Sequence, residues 1–193
     1  MRIVVLVSGT GSNLQAVIDA VKEGELDVEI AAVGSDRHGT YGLERSDAAG
    51  IPTFVVDFKA YAHRAEWNAA LTTAVAAFEP DVVVSSGFMR IVSPDFINAF
   101  NGKYINTHPA LLPAFPGAHG VRDAMAYGVK VTGCTVHWAD AGVDTGPIIA
   151  QEAVTIEDSD TEETLHERIK AVERRLLVST LASLAAASAP PPN

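Results

Sequence analysis

Runs of apolar residues alternate with helical patterns along the first part of the chain. Residues 3–7 form a continuous aliphatic run, which is typical of a strand covered on both faces. Apolar residues then recur at helical spacing from Leu14 to Val21. The same alternation continues and predicts strands over residues 28–33, 51–56, 81–86 and 103–108, and helices over residues 41–49 and about 60–78.

The pattern changes in the last third of the chain. Two strand patterns, residues 132–138 and 148–156, follow one another with only a loop between them. A long helix then begins after a cap at Ser159 or Asp160. We therefore predict an α/β fold, a single-domain, Rossmann-like, open twisted and mostly parallel sheet with helices on both faces and antiparallel strands toward the C-terminal part.

Composition fits one globular domain. The chain has 193 residues, of which 48% are hydrophobic and 20% are charged. We place the domain at residues 1–186 and a disordered Pro-rich tail at residues 187–193. No apolar run approaches the length of a membrane span, and the first residues enter a predicted strand rather than a signal peptide. We expect a soluble, cytoplasmic protein with no membrane partner.

Net charge and cysteine content exclude several kinds of binding partner and metal site. The formal net charge of −10 argues against a nucleic-acid partner, which requires many basic residues on one face. Cys134 is the only cysteine, so an intrachain disulfide and a thiolate metal cluster are excluded, and no metal site is expected. Its strand-like surroundings favour a small buried residue over a nucleophile. A homodimer is compatible with the sequence, which leaves the oligomeric state open.

A Gly-rich turn, Ser-Gly-Thr-Gly-Ser-Asn, joins the first strand to the first helix at residues 8–13. Free N–H groups and the helix dipole make such a turn suitable for binding an anion. Alternatively, it is a tight turn in which Ser12 or Asn13 caps the helix. Leu14 stands where a dinucleotide fingerprint carries Gly, so the turn alone leaves both interpretations open.

Polar or unusual residues follow three predicted strands at their carboxyl ends. The mostly apolar loop at residues 87–92 either lines a slot for a flat ring or packs on a helix, and Ser93-Pro94 starts the next helix. Residues 103–108 end at Asn106 and His108. Because ligands of open α/β sheets bind outside the carboxyl ends of strands, the convergence of the first, fourth and fifth strands predicts one binding rim.

Three side chains there suit chemistry on a carbonyl group. Asn106 can donate an amide hydrogen, His108 can exchange a proton near neutrality, and Asp144 can hold an imidazole charged. A lone His before a Pro is more often structural. We place His137 on the surface of its strand, and a solvated face is the first interpretation of Arg64, Lys170 and Glu173.

The sequence resembles the folate-dependent formyltransferase family. The resemblance is carried by Asn-Thr-His-Pro-Ala-Leu-Leu-Pro at residues 106–113, by Gly117 and by Asp-Thr-Gly-Pro at residues 144–147. It extends from Arg2 to about Leu177. The turn at residues 8–15 and Gly-Leu-Glu-Arg at residues 42–45 resemble the members that formylate glycinamide ribonucleotide in purine synthesis.

The resemblance implies a role for each matching residue. The residues that it implies for catalysis are Asn106, His108 and Asp144. The residues implied for the ribonucleotide are Gly11, Ser12, Asn13, Pro109, Lys170 and Glu173, and those implied for folate are Arg64, Met89, Arg90, Ile91, Val92, Asn106 and Asp140. The implied co-substrate is 10-formyltetrahydrofolate, and the implied substrate is glycinamide ribonucleotide.

The implied reaction is direct attack of the ribonucleotide amine on the formyl carbon, through a tetrahedral intermediate. Asn106 and protonated His108 would stabilise the oxyanion, and Asp144 would take the amine proton directly or through water. A 10-formyltetrahydrofolate hydrolase would use the same residues, although such enzymes usually carry a further domain, for which 193 residues leave no room. A non-catalytic nucleotide-binding module is the other alternative, and a transfer-RNA acceptor is disfavoured by the acidic balance.

Two positions depart from the family pattern. Thr145 stands where many relatives carry a smaller residue, which leaves the conformation of the loop at residues 139–144 open. The segment after Gly117 reads Ala-His-Gly-Val, and His119 has no assigned role there.

Overall fold

Seven strands form one sheet in the computed structural model of the protein, which describes residues 1–188. The strands are β1 (Arg2–Val7), β2 (Glu29–Ser35), β3 (Thr53–Val55), β4 (Val82–Ser85), β5 (Tyr104–His108), β6 (Val131–Trp138) and β7 (Ile148–Thr155). Their order across the sheet is β3-β2-β1-β4-β5-β6-β7. Strands β1 to β5 are parallel, whereas β6 is antiparallel to β5 and β7 to β6. The predicted sheet is therefore confirmed.

Within the described residues, six α-helices connect and follow these strands. They are α1 (Ser12–Lys22), α2 (Tyr41–Ala48), α3 (Arg64–Ala76), α4 (Pro94–Ala99), α5 (Gly120–Tyr127) and α6 (Glu162–Ser188). Helix α4 starts as predicted, because Ser93 Oγ accepts a 3.2 Å hydrogen bond from the Phe96 N–H and Pro94 occupies the first turn. None of the helices within residues 1–188 has the length and apolar character needed to cross a bilayer.

The main differences from the sequence prediction concern the helices. The helix expected from about residue 60 begins at Arg64, since residues 58–60 form a separate 3₁₀ turn capped by Asp57. Helix α5 was not predicted at all, because its short apolar stripe follows a Pro- and Gly-rich loop. Helix α6 is capped by Thr161, whose Oγ1 accepts from the Thr164 N–H at 3.2 Å, and not by Ser159 or Asp160.

The end of the chain also differs from its predicted division. Helix α6 continues to Ser188, so the first two residues of the predicted tail, 187 and 188, are helical. Residues 189–193, the remainder of that tail, lie outside the described residues.

Alternate residues of β1 enter two separate hydrophobic cores. Val5 belongs to the core beneath α1, α5 and α6, whereas Leu6 belongs to the core beneath α3 and α4. Both side chains are fully buried. A continuous aliphatic strand is needed because the sheet is covered on both faces.

This topology places the functional residues. Strands β1, β4 and β5 are neighbours and parallel, so the segments after Val7, Ser85 and His108 emerge at the same rim of the sheet. Strand β6 runs back beside β5 and pairs His137 with Asn106. The described chain thus brings polar residues from both directions to one end of the sheet.

Candidate active site

The carboxylate of Asp144 lies at the centre of a polar cluster at the carboxyl end of β5. Its Oδ2 is 3.3 Å from His108 Nδ1 and accepts a 2.8 Å hydrogen bond from the Gly117 N–H. Its Oδ1 accepts from Asn106 Nδ2 at 3.4 Å. Asn106, His108 and Asp144, which sequence reasoning placed together, therefore meet in one site.

The imidazole of His108 is held from both sides. Nε2 lies 2.7 Å from the carbonyl oxygen of Phe115, and Nδ1 faces Asp144. Both of these partners are oxygens that can only accept, so the two contacts are satisfied together when the ring carries a proton on each nitrogen. His108 is 4% exposed, which keeps bulk water from competing for those contacts.

His137 is a member of this cluster that sequence analysis placed elsewhere. It was expected on the surface of its strand, but it is 1% exposed. Its Nε2 lies 3.6 Å from Asp144 Oδ1 and 3.4 Å from Asn106 Nδ2, and its Nδ1 is 3.0 Å from the carbonyl oxygen of Trp138. The expectation was wrong because β6 is an inner strand between β5 and β7, and the residues after it fold back over its end.

These neighbours set the charge state of Asp144. Burial by itself would raise its pKa, but the hydrogen bonds from His137 and from the Gly117 N–H, together with the charges of His108 and His137, lower the pKa below the ordinary value of 3.8. Asp144 is therefore a carboxylate at neutral pH. As such it can hold an imidazolium ion or accept a proton at the site.

The loop that carries Asp144 is tightly folded. Asp140 Oδ1 accepts hydrogen bonds from the Gly142 N–H at 3.0 Å and from Thr145 Oγ1 at 2.7 Å. Asp144 itself has φ of 55°, in the left-handed region that a non-glycine residue rarely occupies. Such a conformation at a functional residue is sustained by the contacts around it. The Thr145 hydroxyl thus helps to hold the loop in this conformation.

The Gly-rich turn after β1 leaves its donors free. Gly11 is the residue before α1, with φ of 67°, and no side chain caps the helix in the described chain, so the alternative of a cap by Ser12 or Asn13 is not observed. The first N–H groups of α1 consequently have no acceptor from a cap. Asn13 is 8% exposed and its Oδ1 has no hydrogen-bond partner among residues 1–188. These features suit an anion with hydroxyl or N–H groups nearby.

Helix α6 packs against α1 and carries two of the six residues that the resemblance implies for the ribonucleotide, Lys170 and Glu173. Lys170 Nζ forms an ion pair with Glu167 at 2.7 Å and is half-exposed. The solvated face expected for Glu173 is wrong, because Glu173 is 7% exposed. Its carboxylate makes no hydrogen bond or ion pair within residues 1–188. A carboxylate whose oxygens have no hydrogen-bond partner among the described residues can accept hydrogen bonds from a ligand.

The loop between β4 and α4 lies on the other side of the cluster. Met89 and Ile91 are 75% and 59% exposed, although both are large and apolar. Arg64 Nη2 donates to the Ile91 carbonyl oxygen, and the Arg90 guanidinium group is directed inward. The loop therefore offers an open apolar surface beside the polar cluster, as expected for one wall of a ring-binding slot.

Comparison with known proteins identifies the family. Residues 1–181 match the family described as formyl transferase. The chain is 56% identical over 184 residues to phosphoribosylglycinamide formyltransferase from Mycobacterium tuberculosis, covering 95% of this chain and 85% of that protein. The chain belongs to the formyl transferase family. The resemblance noted in the sequence is thereby confirmed, and it extends over nearly the whole chain.

Solved structures agree with this family assignment. Glycinamide ribonucleotide transformylase 1 from Symbiobacterium toebii superposes with a TM-score of 0.94 at 45% identity, covering 97% of this chain and 88% of that one. Phosphoribosylglycinamide formyltransferase from Bacillus halodurans superposes with a TM-score of 0.93 at 42% identity, covering 98% and 97%.

A human relative places the same fold inside a longer protein. The chain is 44% identical over 180 residues to trifunctional purine biosynthetic protein adenosine-3 from Homo sapiens, covering 93% of this chain and 18% of that protein. The formyl transferase fold therefore also occurs as a small part of a multifunctional protein.

Proposed function

We propose that this formyl transferase moves a formyl group from 10-formyltetrahydrofolate to the amine of glycinamide ribonucleotide, a step of purine synthesis. The observation that carries the proposal is the meeting of Asn106, His108 and Asp144 at the carboxyl end of β5. A curated relative and a solved structure, each similar to this chain over most of both lengths, carry the name phosphoribosylglycinamide formyltransferase.

The first step is attack of the neutral amine on the formyl carbon. A carbon–nitrogen bond forms, and the formyl oxygen takes the electron pair of the carbonyl bond as an oxyanion. Protonated His108 and the amide of Asn106 stabilise that oxyanion, and one such donor typically contributes about 10²- to 10³-fold in rate. Asp144 keeps His108 oriented, because Asp144 Oδ2 lies 3.3 Å from His108 Nδ1.

The second step moves one proton and breaks one bond. The attacking nitrogen carries a positive charge after addition and gives a proton to Asp144, directly or through water. The electron pair of the oxyanion then re-forms the carbonyl bond as the bond between the formyl carbon and the folate nitrogen breaks. The proton taken by Asp144 passes, directly or through water, to that nitrogen. A positioned acid or base contributes about 10²- to 10⁴-fold in such a step. Formyl glycinamide ribonucleotide and tetrahydrofolate are the products.

The ribonucleotide would bind between the Gly-rich turn and α6. Its phosphate would occupy the N-terminus of α1, at Gly11, Ser12 and Asn13, where the helix carries no side-chain cap in the described residues. The unpartnered carboxylate of Glu173 would accept hydrogen bonds from the ribose hydroxyls. Lys170 would exchange its surface partner Glu167 for the ligand, and Pro109 would lie beside the amine.

The folate would bind on the opposite side of the cluster. The exposed side chains of Met89 and Ile91 and the backbone of residues 89–92 would line the slot for its ring system, because the side chains of Arg90 and Val92 turn inward. Asn106 and Asp140 would lie at the end where the formyl group is transferred. Arg64 is exposed and lies at the outer end of this loop through its contact with Ile91. That position suits the negatively charged glutamate of the folate.

Release of tetrahydrofolate tests the proposal directly. The purified protein is mixed with 10-formyltetrahydrofolate, with and without glycinamide ribonucleotide, and tetrahydrofolate is measured. Release that requires the ribonucleotide supports formyl transfer. Release at the same rate without it would show a hydrolase, and the absence of release in both mixtures would show a non-catalytic binding module; either result would overturn the proposal.

A further inference from the structure

Arg90 lies in the β4–α4 loop (residues 86–93), yet its charge is neutralised inside the protein. Its Nε is 2.7 Å from Asp36 Oδ2, and its guanidinium carbon lies 4.0 Å from the centre of the Phe58 ring. The side chain of Asp36 is 0% exposed and that of Arg90 is 29% exposed. The guanidinium group is therefore an internal anchor of the loop rather than a free charge at its surface.

The anchor lies between the two residues that the loop exposes. Met89 and Ile91, on either side of Arg90, point outward, whereas Phe88 and Val92 are both 8% exposed and enter the core. Along residues 88–92, the side chains therefore lie in turn in the core, at the surface, on Asp36, at the surface and in the core. Because neighbouring residues share one backbone, the position of Arg90 sets how far Met89 and Ile91 project.

Asp36 also connects to the rest of the loop through Ser8. Ser8 Oγ accepts a 2.8 Å hydrogen bond from the Met89 N–H, and the Ser8 hydroxyl is hydrogen-bonded to the carboxylate of Asp36. Burial by itself would raise the pKa of Asp36, but hydrogen bonds from Ser8, Arg90 and Arg37 lower it below its ordinary value. Asp36 is consequently a carboxylate at neutral pH that joins the end of β2 to two consecutive loop residues.

We infer that Asp36 is a positioning residue for folate binding. It acts without contacting the folate, by fixing the β4–α4 loop through Arg90 and Ser8. This inference rests on the proposed function, in which that loop lines the folate slot. Removing the carboxylate leaves the partly buried Arg90 guanidinium, and that of Arg37, without their ion-pair partner. The Arg90 guanidinium group would then move toward water and displace Met89 and Ile91 from the slot.

The substitution Asp36→Asn tests the inference, because it removes the charge and retains the shape. We expect the KM for 10-formyltetrahydrofolate to rise by about tenfold or more, since a buried ion pair loses one partner. The kcat at saturating folate and the KM for glycinamide ribonucleotide should change by less than about twofold, because the cluster around Asp144 is untouched. Equilibrium titration with tetrahydrofolate should show the same loss of affinity.

Two further variants make the test specific. Arg90→Gln removes the other partner of the ion pair. The affinity of the double variant for tetrahydrofolate should be no lower than that of the single variant with the lower affinity, because the effects of two residues that act through one contact do not add. Arg90→Gln also tests the pair if Asp36→Asn fails to fold. Asp123→Asn is the matched control, since Asp123 is 44% exposed and pairs only on the surface with Arg122 at 3.1 Å.

The outcomes separate the inference from the proposed function. Unchanged tetrahydrofolate affinity and KM in both single variants, with active wild-type protein, would overturn the inference alone. An equal loss of folate and ribonucleotide affinity would show a general structural role and would also overturn it. Wild-type protein that neither binds tetrahydrofolate nor transfers the formyl group would overturn the proposed function, and this inference with it.

Discussion

His137 is buried against Asp144, with His137 Nε2 3.6 Å from Asp144 Oδ1. The other oxygen of the same carboxylate faces His108 at 3.3 Å. One carboxylate therefore lies between two imidazoles, one on β5 and one on β6. His108 is the ring proposed to contact the reacting atoms. His137 is hydrogen-bonded to the Trp138 carbonyl oxygen and orients Asp144.

Loss of the central pair should abolish turnover without unfolding the protein. We expect Asp144→Asn and His108→Ala each to lower kcat by about 10²- to 10⁴-fold, because each removes a positioned acid, base or oxyanion donor. Steady-state kinetics measure the change, and circular dichroism checks the fold. Near-normal turnover in a folded variant would refute the assignment.

Substitution of His137 should give a smaller effect on the same parameter. His137→Phe keeps the bulk of the side chain but leaves Asp144 Oδ1 and the Trp138 carbonyl oxygen with one partner fewer. An unsatisfied buried group costs about 1–3 kcal/mol. We expect kcat to fall by about 10- to 100-fold with little change in either KM. A larger loss than in Asp144→Asn would contradict a purely orienting role.

The Gly-rich turn should tolerate no side chain at Gly11. A Cβ there would lie 2.7 Å from Gly42 Cα, and the φ of 67° is already unfavourable for alanine. We expect Gly11→Ala to raise the KM for the ribonucleotide by about tenfold or more while the KM for folate stays constant. Gly24→Ala is the control, because Gly24 has φ of 77° and no atom within 4 Å of an added Cβ. Equal effects of the two variants would refute a role specific to the turn.

Lys170 should contribute to the binding of the ribonucleotide and not to the binding of folate. Its ammonium group pairs with Glu167 on the surface of α6 and can turn to a bound phosphate. We expect Lys170→Ala to raise the KM for the ribonucleotide by about 10-fold, as befits the loss of one charge-assisted contact, with folate binding unchanged. An unchanged KM for the ribonucleotide would count against the assignment.

The stability contributed by Asp144 should depend on pH in the acid range. Burial raises its pKa, but the contacts from His137, Gly117 and His108 outweigh burial, so the pKa in the folded state lies below 3.8. Ionised Asp144 therefore stabilises the fold fully above its unfolded pKa, and this stabilisation is lost as pH falls through the folded pKa. Urea unfolding of wild-type protein and Asp144→Asn should give a constant difference in the free energy of unfolding down to about pH 5 and a shrinking one toward about pH 3. A constant difference throughout would show that the folded pKa is not lowered.

Elements with a local signal were predictable from the sequence. The aliphatic run in β1 predicted a strand covered on both faces, and Ser93 with Pro94 predicted the start of α4. Helix α5 is as short as α2, which was predicted, but it begins directly after a Pro- and Gly-rich loop that gives no signal for a helix start. The cap of α6 was misplaced because Ser159, Asp160 and Thr161 are all suitable capping residues.

The amino-acid sequence by itself determined the order of strands and helices, the mostly parallel sheet and the rim at which polar residues gather. Hydrophobic periodicity is a short-range property and can be observed along the chain. Only the tertiary structure decided which of those residues meet. The pairing of Asn106 with His137, and the contact of Asp144 with a side chain 38 residues away, depend on strand register and loop packing, which bring together parts of the chain that share no local pattern.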